Sequence, residues 1–327
     1  MLYISDSLIN DGYKIDKLIN RVIIDDNLDF IIYLYDKYKN EITIDIDKCL
    51  IKSAKYGSLK CIEYFTNLGG NIENGLALFE TCKKKIESKN YWVIDIYNNY
   101  SKTAQFLIDK GVDICIDNNK AIRLVSVSGN SNLIRLLCNN GADFKVNNHE
   151  CIRNAVIKGD IEMSKYLSSL YDFKNNYYNL FIKLLKLSCK YGHLGIFNFF
   201  FREGICENRK KYFMYLASKY GKYEIIEFLY DRGVSIQVRN NYPLLKSVDD
   251  DNYDTTKFLI EKGANINVNY IRNDENINLL KLATFNNNLI IVKYLIEKNI
   301  DKKFYKDILD FYKDNNKEIY NYINSLE

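Results

Sequence analysis

The sequence predicts an all-α solenoid of about nine helix-turn-helix units joined by short extended fingers. Three observations predict it: a glycine-marked segment that recurs along the chain, columns of apolar and small residues held at fixed distances from that marker, and a second glycine at a fixed spacing.

Three copies of the segment superpose directly: Lys55-Tyr56-Gly57-Ser58-Leu59, Lys190-Tyr191-Gly192-His193-Leu194 and Lys219-Tyr220-Gly221-Lys222-Tyr223. With the first glycine as the marker, the register runs through Asp26, Gly57, Asn99, Gly129, Gly159, Gly192, Gly221, Asp251 and Asn287. The intervals are 31, 42, 30, 30, 33, 29, 30 and 36 residues, the length of one supersecondary unit. Twelve residues past the marker stand further glycines, and the two slots hold 11 of the 15 glycines in the chain. Where the marker is not glycine it is Asp or Asn, the side chains that best tolerate a left-handed backbone, so a helix ends there with positive φ.

The columns supply the helices. Eight residues past the marker stand Leu34, Phe65, Leu107, Leu137, Leu167, Phe200, Leu229, Leu259 and Leu295. With the apolar positions four and five past the marker they form an i, i+4 stripe, the core face of a second helix. Seven before the marker, Ile19, Leu50, Ile122, Ile152, Leu185, Met214, Leu244 and Leu280 mark the core face of a first helix. Four before it the residue is small (Ser53, Ala155, Ser188, Ala217, Ser247, Ala283), with Val22 and Val125 larger, which lets two helices approach closely. One such unit cannot bury its apolar face alone; stacking supplies the core.

Gly263-Ala264-Asn265-Ile266-Asn267, Gly141-Ala142-Asp143-Phe144 and Gly192-His193-Leu194 resemble the ankyrin repeat, and Pro243-Leu244 sits where that family carries Thr-Pro-Leu-His. The resemblance covers about residues 15–305, with units at 15–44, 45–74, 75–116, 117–146, 147–176, 177–208, 209–238, 239–268 and 269–304. Residues 1–14 and 305–327 are then terminal caps, the latter covering the last unit with Ile308, Leu309, Tyr320 and Ile323. Elsewhere Thr-Pro-Leu-His is missing, so most first helices are expected to start without the family's usual capping bonds. Bias and degeneracy together are similar to the ankyrin-repeat families of large DNA viruses of amoebae. Lys, Asn, Ile and Tyr, all encoded by A/T-rich codons, dominate, so Asn runs need not mean disorder.

Composition narrows the function. Lys and Arg total 46 against 42 Asp and Glu, which gives no overall electrostatic case for nucleic acid, although local clusters such as Arg209-Lys210-Lys211 exist. No apolar run is long enough to span a bilayer and the start has no basic n-region, so an intracellular, cytoplasmic protein is expected, in the host cytoplasm if viral. The eight cysteines form no C-x-x-C pair or zinc spacing and read as small reduced core residues. No phosphate loop, Gly-x-Ser-x-Gly elbow or His-Glu-x-x-His helix occurs, and His193 and His149 sit at structural helix-start positions. No catalytic residue, cofactor or metal is expected.

Two irregular units carry the candidate binding residues. The 42-residue interval inserts residues near Lys83–Asn98, including the lone tryptophan, Trp92, which is either an aromatic anchor for a partner or a core residue packed on neighbouring units. The 36-residue interval lengthens the link Val268–Asn278, where Tyr270 and Arg272 reach toward a ligand unless the link is a polar loop. Tyr56, Tyr191 and Tyr220, each after a lysine, are either binding residues or ordinary rim residues. The resemblance implies a monomeric, non-catalytic module that binds a protein partner through a concave finger and first-helix surface, with no membrane or nucleic acid. The alternative it leaves is a substrate-recruiting adaptor of a ubiquitin-ligase-type complex.

Overall fold

The computed structural model describes residues 12–40, 43–83, 92–173, 176–201, 209–272, 275–312 and 317–326, which fall into two compact arrays, Met1–Tyr171 and Asp172–Glu327. The N-terminal array pairs α1 (Gly12–Ile24) with α2 (Leu28–Tyr38), α3 (Ile46–Tyr56) with α4 (Leu59–Asn67) and α5 (Leu76–Lys83) with α6 (Trp92–Asp109). It continues with α7 (Ile116–Ser128) and α8 (Ser131–Asn139), then α9 (Val146–Lys158) and α10 (Ile161–Ser169). The C-terminal array pairs α11 (Tyr178–Tyr191) with α12 (Leu194–Phe201), α13 (Lys210–Lys219) with α14 (Tyr223–Tyr230) and α15 (Val238–Asp249) with α16 (Tyr253–Glu261). After a hairpin of β1 (Asn269–Arg272) and β2 (Glu275–Asn278) come α17 (Leu279–Phe285) with α18 (Leu289–Glu297), then α19 (Lys303–Tyr312) with α20 (Lys317–Asn324). First helices stack on first helices and second on second: α1, α3, α5, α7 and α9 in one array, α11, α13, α15, α17 and α19 in the other. The C-terminal segment is thus one more helix pair, with Ile308, Ile319 and Ile323 fully buried and Leu309 and Tyr320 half-buried.

Local chemistry explains each pair. The marker residues lie between the two helices with φ of 46° at Asp26, 69° at Gly57, 87° at Gly129, 54° at Asp251 and 58° at Asn287. That left-handed step ends the first helix and turns the chain back within two residues. The second helix is then capped by a side-chain oxygen: Asn27, Asn130, Asp160, Asn252 and Asn288 each accept from the backbone N–H three residues on. The predicted columns are the core. No residue in the column eight past the marker is more than 1% exposed, and none seven before it more than 4%. The small-residue column is equally buried, so the helices of a pair touch at Ser53, Ala155, Ser188 and Ala217.

Two local expectations are corrected. Asn99 does not end a helix: α6 runs straight through it, and its φ is not positive. Val268–Asn278 is not an irregular link but mostly an antiparallel hairpin, with Tyr270 opposite Ile277 and Arg272 opposite Glu275. Asn278 at its end caps α17 by accepting from the Lys281 N–H at 2.8 Å.

The expected lack of capping bonds at most first-helix starts is borne out: α7, α9, α11, α13 and α15 have no side-chain N-cap bond, while α3 is capped by Asp45 and α17 by Asn278. Near their starts α7, α9 and α15 each carry three consecutive left-handed residues, Asp117-Asn118-Asn119, Asn147-Asn148-His149 and Arg239-Asn240-Asn241, with φ between 48° and 62°. Such a run costs about 1–2 kcal/mol per residue for ordinary side chains, which is why Asn occupies it. Hydrogen bonds to the next finger offset that cost. The Asp143 N–H donates to Asn119 Oδ1 at 2.8 Å, and the Asn265 N–H to Asn241 Oδ1 at 3.0 Å. Asn118 Nδ2 donates to Asn147 Oδ1 at 3.0 Å, and Asn240 Nδ2 to the Asn269 carbonyl at 3.3 Å. Asp47 in α3 holds the Asn71 N–H in the same way at 2.7 Å. Asn runs therefore tie one finger to the next.

Two substitutions test this arrangement. Leu137→Asp, which puts a carboxylate at a fully buried site, should lower unfolding free energy by about 3 kcal/mol or more in urea titrations, whereas Lys145→Glu on an exposed finger should change it by less than about 0.5 kcal/mol. Asn119→Gly keeps the left-handed backbone but deletes the bond to Asp143, and should cost about 1 kcal/mol; Asn119→Val, which loses both, should cost more.

Candidate functional site

The structure places the sequence-selected residues at two ends of the helix pairs. Tyr56 lies half-buried at the end of α3 with the Lys55 ammonium 5.9 Å from its ring. Behind it Tyr100 donates its hydroxyl to the Lys55 carbonyl at 2.9 Å and packs on Gly57. Tyr191, 42% exposed, and Tyr220, half-buried, come together: Lys190 Nζ lies 5.6 Å from one ring centre and 5.7 Å from the other. Tyr191 also stacks on His193 at 6.3 Å. The Lys-Tyr-Gly signature is therefore a row of cations on aromatic rims at the turn end of the pairs.

Tyr270 sits at the opposite, finger end, roughly 15 Å away along a ten-residue helix. Its hydroxyl donates to the Asn241 carbonyl at 3.1 Å, and burial pushes its phenol above the ordinary range, so it braces the hairpin against the preceding unit. Arg272 closes β1 opposite Glu275, and Trp92 opens α6; both side chains lie outside the described residues.

The cysteines and histidines show no activated pair. Cys151 Sγ lies 3.9 Å from the Ile122 carbonyl and Cys189 Sγ 3.9 Å from that of Phe213, and burial pushes both thiols up to about 12. That is the opposite of a nucleophile, which needs a lowered pKa. His149 Nδ1 faces the Tyr171 hydroxyl at 3.1 Å. Among the described residues no three metal-ligating side chains converge, and no helix is long and apolar enough to cross a membrane.

A further surface emerges from the stacking of first helices. Positions nine, six and two before the marker line the exposed face of each first helix, and they vary from unit to unit: Lys183, Tyr212 and Tyr242; Lys186, Tyr215 and Leu245; Lys190, Lys219 and Asp249. In the C-terminal array Arg239 lies 3.9 Å from the Tyr215 ring centre, Tyr215 packs on Tyr242 at 4.6 Å, and Lys186 lies 5.1 Å from Tyr212. In the N-terminal array the corresponding cations of α7 are neutralised, with Arg123 paired to Glu150 on α9 at 3.0 Å and Lys120 paired to Asp117. Sequence reasoning reached only the Tyr-Gly column. The signal for the rest was present in the unit-to-unit variation of the exposed columns.

Stacked helix pairs joined by glycine-led fingers define an α-helical repeat array. Residues 213–306 match the family described as ankyrin repeats (3 copies). An ankyrin repeat protein of Acanthamoeba polyphaga mimivirus is 28% identical over 96 residues, 29% of this chain and 24% of that protein, so the match spans about a quarter of the relative's length. The crystal structure of the human ASB11 ankyrin repeat domain covers 65% of this chain and 99% of its own length at 15% identity, with a TM-score of 0.47. Ankyrin repeats generally mediate protein–protein interaction, and the family is typically non-enzymatic.

The thiols make the burial pattern measurable. Exposed Cys115 should react with an alkylating reagent within minutes at neutral pH, while Cys151 and Cys189 should react only on unfolding, read by mass spectrometry of digested protein. Their raised pKa also sets an alkaline limit. The unfolded thiol ionises near 9.0 and the folded one near 12, so their contribution is complete below pH 9 and is lost as pH rises from there toward 12. A urea midpoint that rises above pH 9 would contradict this.

Proposed function

We propose that the chain is a non-catalytic interaction module that binds a protein partner through the first-helix and finger face of its repeats. One observation carries the reading. The buried columns stay apolar from unit to unit while the outward first-helix columns vary, from Lys183 to Tyr212 and from Lys219 to Asp249. A core held constant under a varied face is what recognition requires, because specificity lives in surface residues and the scaffold only presents them. The left-handed Asn turns support it, since the side-chain bonds between fingers hold that face rigid, and a preorganised surface loses less entropy on binding.

Photo-crosslinking residues incorporated one at a time test the reading in cells. Positions Lys120, Lys183 and Tyr242 on first helices should cross-link to a defined protein, whereas Glu162 and Lys257 on second helices should not. Ubiquitin-ligase subunits among the cross-linked proteins would assign the adaptor role. Equal cross-linking from both faces, or turnover by the purified chain that one point mutation abolishes, would overturn the proposal.

A further inference from the structure

We infer that the first-helix face of α11, α13 and α15 is a docking surface for an acidic, extended segment of a partner protein. Lys183, Lys186, Lys190, Lys219 and Arg239 receive its carboxylates, and Tyr212 and Tyr215 hold Lys186 and Arg239 in place. The inference rests on the protein-binding reading above and specifies the partner's chemistry.

Charge carries the argument. Neither α11 nor α13 contains an acidic residue, yet their outward positions include Lys183, Lys186, Lys190, Lys211 and Lys219, all exposed. On α15 the only described ion pairs are those of Lys246 with Asp249 and Asp250, which leaves Arg239 outside them. Among the described residues none of Lys183, Lys186, Lys190, Lys219 and Arg239 has a carboxylate partner; four of them rest on aromatic rings instead. The N-terminal array shows that this is not a general property of the repeat, because its corresponding cations Lys120 and Arg123 are neutralised within the array. A row of like charges on adjacent stacked helices is mutually repulsive, and an incoming polyanion relieves that repulsion.

The form of the anion follows from the rings. A cation on the face of a tyrosine keeps its N–H groups available at the edge, and a guanidinium held flat there is oriented for two-point contact with a carboxylate. Binding of single-stranded nucleic acid by stacking needs open aromatic faces. Here Tyr215 is engaged by Arg239 and Tyr242 together, and Tyr212 by Lys186 and by its edge contact with Phe213 at 5.5 Å. The face therefore suits side-chain carboxylates better than stacked bases.

The test uses the full chain and three fluorescent probes: a peptide of repeated Glu-Asp-Phe, its neutral counterpart of repeated Gln-Asn-Phe, and an oligouridylate. The acidic peptide should bind, should weaken as salt rises from about 0.05 to about 0.3 M, and should lose about tenfold or more in affinity in Lys183→Glu/Lys186→Glu. Arg239→Asn, which removes the charge but tolerates the left-handed backbone, should also weaken it. Arg135→Glu, at a cation on the Tyr166 ring of the other array, should not. Circular dichroism of each variant establishes folding. Equal binding of the neutral peptide, affinity unchanged in Lys183→Glu/Lys186→Glu, or tighter binding of the oligouridylate would each overturn the inference. If the cross-linked cellular partner is retained by Lys183→Glu/Lys186→Glu, the acidic-segment inference falls while the protein-binding reading stands.

Discussion

Every helix pair in this chain depends on its neighbour for burial. A pair of helices of 7 to 18 residues has an apolar face on two sides and cannot close a core by itself. The column of Leu and Phe residues eight past the marker lies within 1% of complete burial only because the next pair covers it. All other features serve that stacking. The left-handed marker reverses the chain within two residues, the small-residue column lets the helices of a pair touch, and the finger carries the chain to the start of the next pair.

The fingers meet a second demand, which is to hold the register between pairs. Apolar contact alone is non-directional and permits sliding. The side-chain amides and carboxylates of Asp47, Asn118, Asn119, Asn240 and Asn241 supply direction by bonding to backbone or side-chain groups one unit further on. These bonds tie successive fingers and do not cap the helices themselves, since α7, α9 and α15 have no side-chain N-cap bond.

The outward face of the first helices differs between the two arrays. In the N-terminal array the cations of α7 meet carboxylates from the same turn or the adjacent first helix. In the C-terminal array α11 and α13 have no acidic residue, and their cations meet tyrosines. The whole-chain balance of 46 basic and 42 acidic residues conceals this, because it averages over both arrays. A face of lysine, arginine and tyrosine thus sits on a chain whose net charge is only +4.

The sequence by itself determined the repeat, its period, the left-handed marker and the buried columns. Each is encoded within one unit: a turn needs Gly, Asn or Asp at one position, and a core face needs apolar residues at helical spacing. Asn99 shows the limit, since a residue suited to the marker lies inside α6 where the surrounding helix overrides it. Only the tertiary structure decided what depends on a partner a whole unit away. The ties from Asn119 to Asp143 and from Asn241 to Asn265 span 24 residues, the hairpin brace from Tyr270 to Asn241 spans 29, and the neutralising pair Arg123–Glu150 spans 27. Which cations remain uncovered follows from those pairings, and no local pattern records them because the interacting groups become neighbours only when the units stack.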